Sequence, residues 1–183
     1  MSKERTDYLL DLNEILGPKM SAKLPGFAQR FLRKRLHMDQ INDCIMKAEH
    51  YAGAGFFDEA LNYIGITYKT RGEENLDLSK NYIFACNHPL GGPEALIIGS
   101  VFRRIYGDGF KVPANQILYN MKPLQEFFVP VKVQAGRQSR DIADRFAQMF
   151  ESDCQVLVFP AGLCARTFKG VITEMPWKKM FIT

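Results

Sequence analysis

His88 is the residue of this sequence whose surroundings most favour chemistry. It follows a short apolar run, residues 82–86, and precedes Gly91 and Gly92, which favour a turn leading into a helix. Glu94 then falls in the first helical turn, where the helix dipole favours a carboxylate. A histidine beside a carboxylate is the minimal general-base pair, because the carboxylate fixes the tautomer and stabilises the imidazolium. The glycines let backbone N–H groups approach a ligand and receive negative charge. These features support a catalytic role and a purely structural role for His88 about equally.

The elements that must position His88 alternate between strands and helices. We expect strands at residues 64–70, 81–87, 110–113, 127–133 and 155–159, and helices at 93–104 and 139–151. Such alternation predicts an α/β fold with a largely parallel sheet flanked by helices. Earlier in the chain, helices are expected over 6–16 and 26–63, with breaks near Gly17-Pro18, Pro25 and the glycines Gly53 and Gly55. We therefore expect a helical N-terminal subdomain or cap over 1–63 and an α/β domain over 64–183.

Length and composition restrict the class of protein. A chain of 183 residues can form one domain with a substantial core, and its 46% hydrophobic and 24% charged residues exclude disorder and a coiled coil. The net charge of +4 does not by itself require a nucleic-acid partner. The four cysteines form no CxxC pair, and no histidine has metal-ligand spacing. We expect no metal, and free thiols indicate a cytoplasmic location.

The N-terminal region carries a basic, apolar pattern. From Lys19 to Leu36 there are six positive residues and no acidic one, while Leu24, Phe27, Phe31 and Leu36 recur at helical spacing. This pattern is typical of a helix on an anionic lipid surface. A helix packed on the core with a solvated basic face explains it about as well, and no motif supports nucleic acid. Since no apolar run reaches the roughly 20 residues of a membrane span, we expect peripheral contact with the inner face of the cell membrane.

Two segments together resemble a known family. They are His88-Pro89-Leu90-Gly91-Gly92 and Phe159-Pro160-Ala161-Gly162-Leu163-Cys164-Ala165-Arg166. Their combination is similar to the PlsC-type glycerolipid acyltransferases, and more narrowly to the bacterial glycerol-acyltransferase or hemolysin-like branch. The resemblance covers about residues 64–183 and implies the α/β fold of the glycerol-3-phosphate acyltransferases.

The resemblance also implies an activity. In that family a histidine removes the proton of an acceptor hydroxyl, which attacks the thioester of an acyl carrier protein or coenzyme A. His88 matches the base and Glu94 the acid that orients it. The same motifs imply substrate contacts by Asn87, Gly91, Gly92 and Gly162. No cofactor is implied beyond the acyl-thioester co-substrate.

The sequence departs from the family pattern at both segments. The usual acid position falls on Pro93, and the acid is instead Glu94, whose extra methylene offsets the shift. Ala161 replaces the usual glutamate of the second segment, and Cys164 its usual arginine. Arg166 is then the expected contact for a phosphate or carboxylate, and the acceptor is either a lysophosphatidate-like lipid or a lyso-aminolipid. The family's further basic residue corresponds to Lys132, Arg137 or Arg140, of which Arg137 is preferred.

Two other functions remain open at this point. Cys86, two residues before His88, can be paired with it as the nucleophile of a thioester hydrolase, although a cysteine in an apolar strand is more often a buried hydrophobe. A non-catalytic lipid-surface protein is the other alternative. Residues 177–183 have the pattern of a helix opening, so we expect the C-terminal part of the domain to be missing.

Overall fold

A four-stranded parallel sheet forms the centre of the protein in a computed structural model, which describes residues 10–48, 53, 55–119, 121–131 and 140–178. Its strands are β1 (Ile83–Ala85), β2 (Phe110–Ala114), β3 (Phe128–Pro130) and β4 (Gln155–Val158), in the order β1-β4-β2-β3. All three pairings are parallel. The predicted α/β fold with a parallel sheet is therefore confirmed, and β4 lies between β1 and β2.

Helices surround the sheet. They are α1 (Leu12–Leu16), α2 (Pro18–Ser21), α3 (Gly26–Arg35), α4 (Met38–Lys47), α5 (Gly55–Ile64), α6 (Gly92–Tyr106), α7 (Gln116–Tyr119) and α8 (Arg140–Glu151). Short 3-10 turns occupy Glu73–Asn75 and Lys122–Leu124. None of the described helices has both the length and the apolar composition to cross a bilayer.

The buried strand β4 divides the core into two layers. Its Leu157 belongs to a large cluster with aromatic residues such as Phe110 and Phe127, whose rings stack at 4.8 Å. Val156 and Val158 belong to a second cluster, against which Phe146 of α8 packs. Because neighbouring residues of a strand point to opposite faces, helices cover both faces of the sheet. The larger cluster also contains residues of α1, α4 and α5, so the N-terminal helices share the core of the sheet.

The side chain of Gln155 fixes the start of β1 beside β4. Gln155 is buried, and its Oε1 accepts a hydrogen bond from the Tyr82 N–H at 2.8 Å. Its Nε2 donates to the Lys80 carbonyl and to Asn81 Oδ1, each at 3.3 Å. These bonds satisfy a buried amide and hold the chain entering β1 in register.

The strand predicted at residues 64–70 is wrong. Ile64 ends α5, and the following residues are extended but pair with no strand in the part of the chain that the structure describes. The Ile66 N–H donates to the Leu61 carbonyl, and the Tyr68 hydroxyl contacts Ser100 of α6 at 2.7 Å. Ile66 and Tyr68 are therefore half-buried beside the helices and are not part of the sheet.

The helix predicted over 26–63 has an additional break. The chain leaves α3 at Leu36, and His37 adopts a left-handed conformation with φ 52° before α4 begins. Histidine is among the non-glycine residues that tolerate this region, so no glycine or proline marks the break. Of the helix predicted over 6–16, Leu12–Leu16 are helical, Leu10 and Asp11 are not, and residues 6–9 lie outside the described residues.

A β-hairpin follows β4 where no strand was predicted. It consists of β5 (Arg166–Phe168) and β6 (Val171–Thr173), which pair in antiparallel fashion. Lys169 and Gly170 between them both have positive φ, 49° and 82°, as a tight two-residue hairpin turn requires. The helix opening predicted at Trp177 is wrong for Trp177 and Lys178, which are not helical, and the rest of it lies outside the described residues.

The contact between α5 and α6 depends on Gly99. A Cβ added at Gly99 would overlap the ring of Phe57, which is itself buried. We predict that Gly99→Ala lowers the free energy of unfolding by about 1–3 kcal/mol, because the core must shift to admit the methyl group. Urea denaturation measures this difference. Gly26→Ala is the matched control, since a Cβ there meets no heavy atom within 4 Å. Equal stability of the two variants would contradict the close packing.

Candidate active site

The pairing of β1 with β4 places the segments 88–92 and 159–166, which carry the resemblance, side by side. Ala85 is in register with Val158, and the Cys86 N–H extends the ladder to the Val158 carbonyl at 3.0 Å. Both strands are parallel, so the residues after them emerge at the same edge of the sheet. The ring of His88 stacks on that of Phe159, with centroids 4.3 Å apart and planes inclined by 28°.

His88 and Glu94 form the pair that their spacing predicted. His88 Nδ1 lies 2.8 Å from Glu94 Oε1, and the two side chains are only 19% and 13% exposed. A carboxylate oxygen only accepts, so Nδ1 carries the hydrogen and Nε2 is the nitrogen left to take a proton from a substrate. The longer side chain of glutamate therefore bridges the one-residue shift from the usual acid position.

The turn before α6 holds Glu94 in this orientation. Glu94 Oε1 also accepts hydrogen bonds from the backbone N–H groups of Leu90 and Gly91, at 3.0 and 2.8 Å. Gly91 has φ 87° and ψ −111°, which side-chain-bearing residues rarely adopt. A Cβ at Gly91 would also lie 3.2 Å from Cys164 Sγ. Gly91 thus lets the loop fold back on Glu94 while the second segment packs against it.

The backbone N–H of Gly91 is already bonded within the turn. Gly91 is buried, and its N–H is donated to Glu94 and not presented to a ligand. Its place in the site is therefore to shape the turn. Gly92 is the exposed first residue of α6, and Asn87 is exposed immediately before His88.

The hairpin that follows the second segment is attached to the backbone of His88 at both of its ends. The Ala165 N–H donates to the His88 carbonyl at 2.8 Å. Beyond the hairpin, Glu174 Oε1 accepts the His88 N–H at 2.6 Å. Sequence reasoning missed Glu174, because no local pattern relates two residues 86 positions apart. His88 is consequently held by one carboxylate at its ring and another at its backbone.

Of the positive residues expected at the site, Arg166 and Arg140 are described by the structure. Arg166 is exposed at the start of β5, one residue after Ala165. Arg140 is the exposed first residue of α8. Lys132 and Arg137 lie outside the described residues.

Lys178 is a cation of this region that the sequence did not suggest. Its backbone N–H donates to the Pro160 carbonyl at 3.0 Å, and its Nζ would lie 3.3 Å from a Cβ on Gly162. Gly162 has φ 65° in the turn after β4. The ammonium group therefore lies over the glycine turn of the second segment.

Two thiols, those of Cys86 and Cys164, lie near His88, and both have a raised pKa. Cys86 packs against the large hydrophobic cluster, and burial raises the pKa of its thiol. Cys164 lies beside Gly91, and burial together with the Glu94 carboxylate raises its pKa as well. Both effects disfavour the thiolate that a nucleophile needs. Among the described residues, no three or more His, Cys, Asp or Glu side chains cluster to hold a metal ion.

Comparison with known proteins identifies relatives over nearly the whole chain. The family model described as "Acyltransferase" matches residues 12–183. A lyso-glycine lipid O-acyltransferase of Bacteroides thetaiotaomicron is 34% identical over 178 residues, which are 96% of this chain and 65% of that protein. A protein of the same name from Phocaeicola vulgatus is 30% identical over 179 residues, 96% of this chain and 64% of its own. The chain thus spans somewhat less than two thirds of the length of these relatives. No solved structure matches it significantly.

The burial of Cys86 has a measurable consequence. We predict that Cys86 reacts with iodoacetamide at least several-fold more slowly than Cys154, because burial disfavours its thiolate. The rate of the Cys86 reaction should rise with pH through a midpoint above the pKa of an ordinary thiol. Mass spectrometry of variants that retain only Cys86 or only Cys154 measures both rates. Fast reaction of Cys86 with a midpoint below the ordinary value would identify it as an activated nucleophile and contradict the prediction.

Proposed function

This chain belongs to the acyltransferase family, and we propose that it transfers a fatty acyl group from a thioester to the hydroxyl group of a lysolipid. His88 is the general base of this reaction, and Glu94 orients it. The single observation that carries the proposal is the bond between His88 Nδ1 and Glu94 Oε1, at the sheet edge where the second segment also emerges.

The proposed reaction has two steps at His88. Nε2 takes the proton of the acceptor hydroxyl as its oxygen attacks the thioester carbonyl carbon, and a tetrahedral oxyanion forms. The carbon–sulfur bond then breaks, the imidazolium returns its proton to the leaving thiolate, and the products are an ester and a free thiol. The carboxylate of Glu94 stabilises the imidazolium between the two steps.

The proposed acceptor is a lysolipid with an anionic headgroup, and a lyso-aminolipid is favoured. The relatives are named for a lyso-glycine lipid. Arg166 and Lys178 are basic residues on the segment that begins at Phe159, and they support recognition of such an anion. The buried Ala161 and the exposed Cys164 distinguish this segment from the usual lysophosphatidate pattern.

The proposed acyl donor is an acyl carrier protein or a coenzyme A thioester. The proposal involves no other cofactor, because the thioester supplies the activated acyl group. The alternative with Cys86 as the nucleophile of a hydrolase is not supported by its position, since the thiol is packed against the core and its pKa is raised by burial.

Peripheral attachment to the cytoplasmic face of the membrane is the proposed location. Helix α3 contains no buried residue, and Phe27 and Phe31 on it are 78% and 66% exposed. Arg30 and Lys34 are exposed on the same helix. Exposed aromatic residues next to cations support contact with anionic lipid, whereas a helix that only packs on the core would bury its phenylalanines.

Loss of the base tests the proposed chemistry. We predict that His88→Ala lowers kcat about 10²–10⁴-fold, and that Glu94→Gln lowers kcat less with little change in KM, because the amide keeps its volume but cannot stabilise the imidazolium. The measurement is release of free thiol from acyl carrier protein or coenzyme A thioesters, with and without a lysolipid. His37→Asn is the control, since His37 is exposed on the N-terminal helices and asparagine tolerates its left-handed backbone.

The same assay separates the alternatives. Thiol release without acceptor, abolished by Cys86→Ala, would establish a hydrolase. No release under any condition, together with strong vesicle binding, would establish a non-catalytic lipid-surface protein. Either result overturns the proposal.

Charge reversal on α3 tests the proposed location. We predict that Arg30→Glu with Lys34→Glu weakens binding to anionic vesicles at least about tenfold, since each basic residue near a charged membrane contributes roughly 1 kcal/mol. Lys69→Glu with Arg71→Glu is the matched control, because it changes the net charge equally at exposed positions after α5. Vesicle co-sedimentation measures both. Equal loss in the two double variants would show a non-specific charge effect and contradict contact through α3.

A further inference from the structure

Within the described residues, nothing covers the apolar side chains of the hairpin Arg166–Thr173. Every residue of β5 and β6 is exposed. Phe168, Val171 and Ile172, the apolar residues nearest the turn, are 51%, 64% and 70% exposed. Phe168 and Val171 pair across the ribbon and share one face, whereas Ile172 points to the other face, so apolar side chains are exposed on both faces next to the turn. A two-stranded ribbon without a covered face is marginal in water, and exposed apolar surface of this kind marks an interaction surface.

The charge on the hairpin indicates which kind of partner fits. Arg166 and Lys169 are exposed on it, and no acidic residue lies between Asp153 and Glu174. Glu174 itself is engaged by the backbone of His88. Apolar side chains next to cations, with no compensating carboxylates, are complementary to the headgroup and acyl boundary of an anionic lipid surface.

The attachment of the hairpin places it at the candidate active site. Ala165 and Glu174, which flank it, hydrogen-bond the carbonyl and the N–H of His88. Leu90, 67% exposed in the turn before α6, and Leu163 in the turn after β4 add apolar surface to the segments that adjoin the hairpin. A lipid surface in contact with the hairpin would therefore lie next to the His88–Glu94 pair.

We propose that the hairpin Arg166–Thr173 is a second lipid-docking element, separate in sequence from α3, that rests on an anionic lipid surface and brings it to His88. Phe168, Val171 and Ile172 enter the headgroup region, and Lys169 at the turn contacts lipid phosphates. This inference deepens the proposed function, because a lysolipid acceptor resides in such a surface and would reach the base without leaving it.

Vesicle binding by the full chain tests the docking element. In Phe168→Thr with Ile172→Thr, β-branched polar residues preserve the hairpin while its apolar surface is removed. We expect this variant to bind vesicles of phosphatidylcholine and phosphatidylglycerol at least about tenfold more weakly than the unchanged protein. Turnover of a short-chain, monomeric lysolipid in solution is expected to stay the same. The matched control is Leu78→Thr with Met46→Gln, since both residues are exposed apolar positions outside the hairpin and outside α3.

Three results would overturn the inference. Unchanged vesicle binding would show that the hairpin does not touch lipid, and a tenfold loss in the control variant would show a non-specific effect. Normal vesicle binding with weakened binding of an acyl carrier protein would identify a protein-docking surface instead. The binding measurement requires no turnover, so a chain that transfers no acyl group would refute the proposed function while the docking result stands by itself.

Discussion

The parallel pairing of β1 with β4 is the constraint on which the site depends. It aligns Ala85 with Val158, so two segments about seventy residues apart in the chain leave the sheet together. His88 then stacks on Phe159, and the hairpin after β4 reaches back to the backbone of His88. The strands are short, and their pairing is supported by the buried Gln155 at one end and the Cys86–Val158 bond at the other. Without this register the two segments would not form one site.

Glu94 bonds both the backbone of the turn before α6 and the ring of His88. Its Oε1 accepts two backbone N–H groups of the turn and the Nδ1–H of His88. The left-handed Gly91 makes this possible, because it folds the turn tightly enough for a residue of the first turn of α6 to face back towards the strand end. The orientation of the histidine is thus determined by the same bonds that begin the helix. Under the proposed function, the base is therefore positioned before any substrate binds.

The parts of the fold that could be predicted from sequence are those that depend on local pattern. Apolar runs marked β1, β2 and β4, and the spacing of His88 and Glu94 around a glycine turn marked their contact. The sequence of residues 64–70 could not be distinguished from that of a strand. Tyr68 is placed by its contact with helix α6 and not by pairing in a sheet. The hairpin was missed since its strands have only three residues each and none of these residues is buried. Glu174 and Lys178 could not be identified, because only the tertiary fold brings them to His88 and Gly162.

The proposed reaction needs carboxylates at His88 and cations for the acceptor headgroup at the same edge of the sheet. Glu94 contacts the ring of His88 and Glu174 contacts its backbone N–H, so two carboxylates lie at the residue proposed as the base. The same carboxylates repel an anionic acceptor headgroup, so its binding needs cations that do not neutralise them. Arg166 and Lys178 belong to the segment after β4, as Glu174 does, whereas Glu94, the carboxylate at the ring of His88, belongs to the turn and helix after β1. The sheet thereby separates the group that accepts the proton from the groups suited to the headgroup, although the parallel pairing keeps them at one edge.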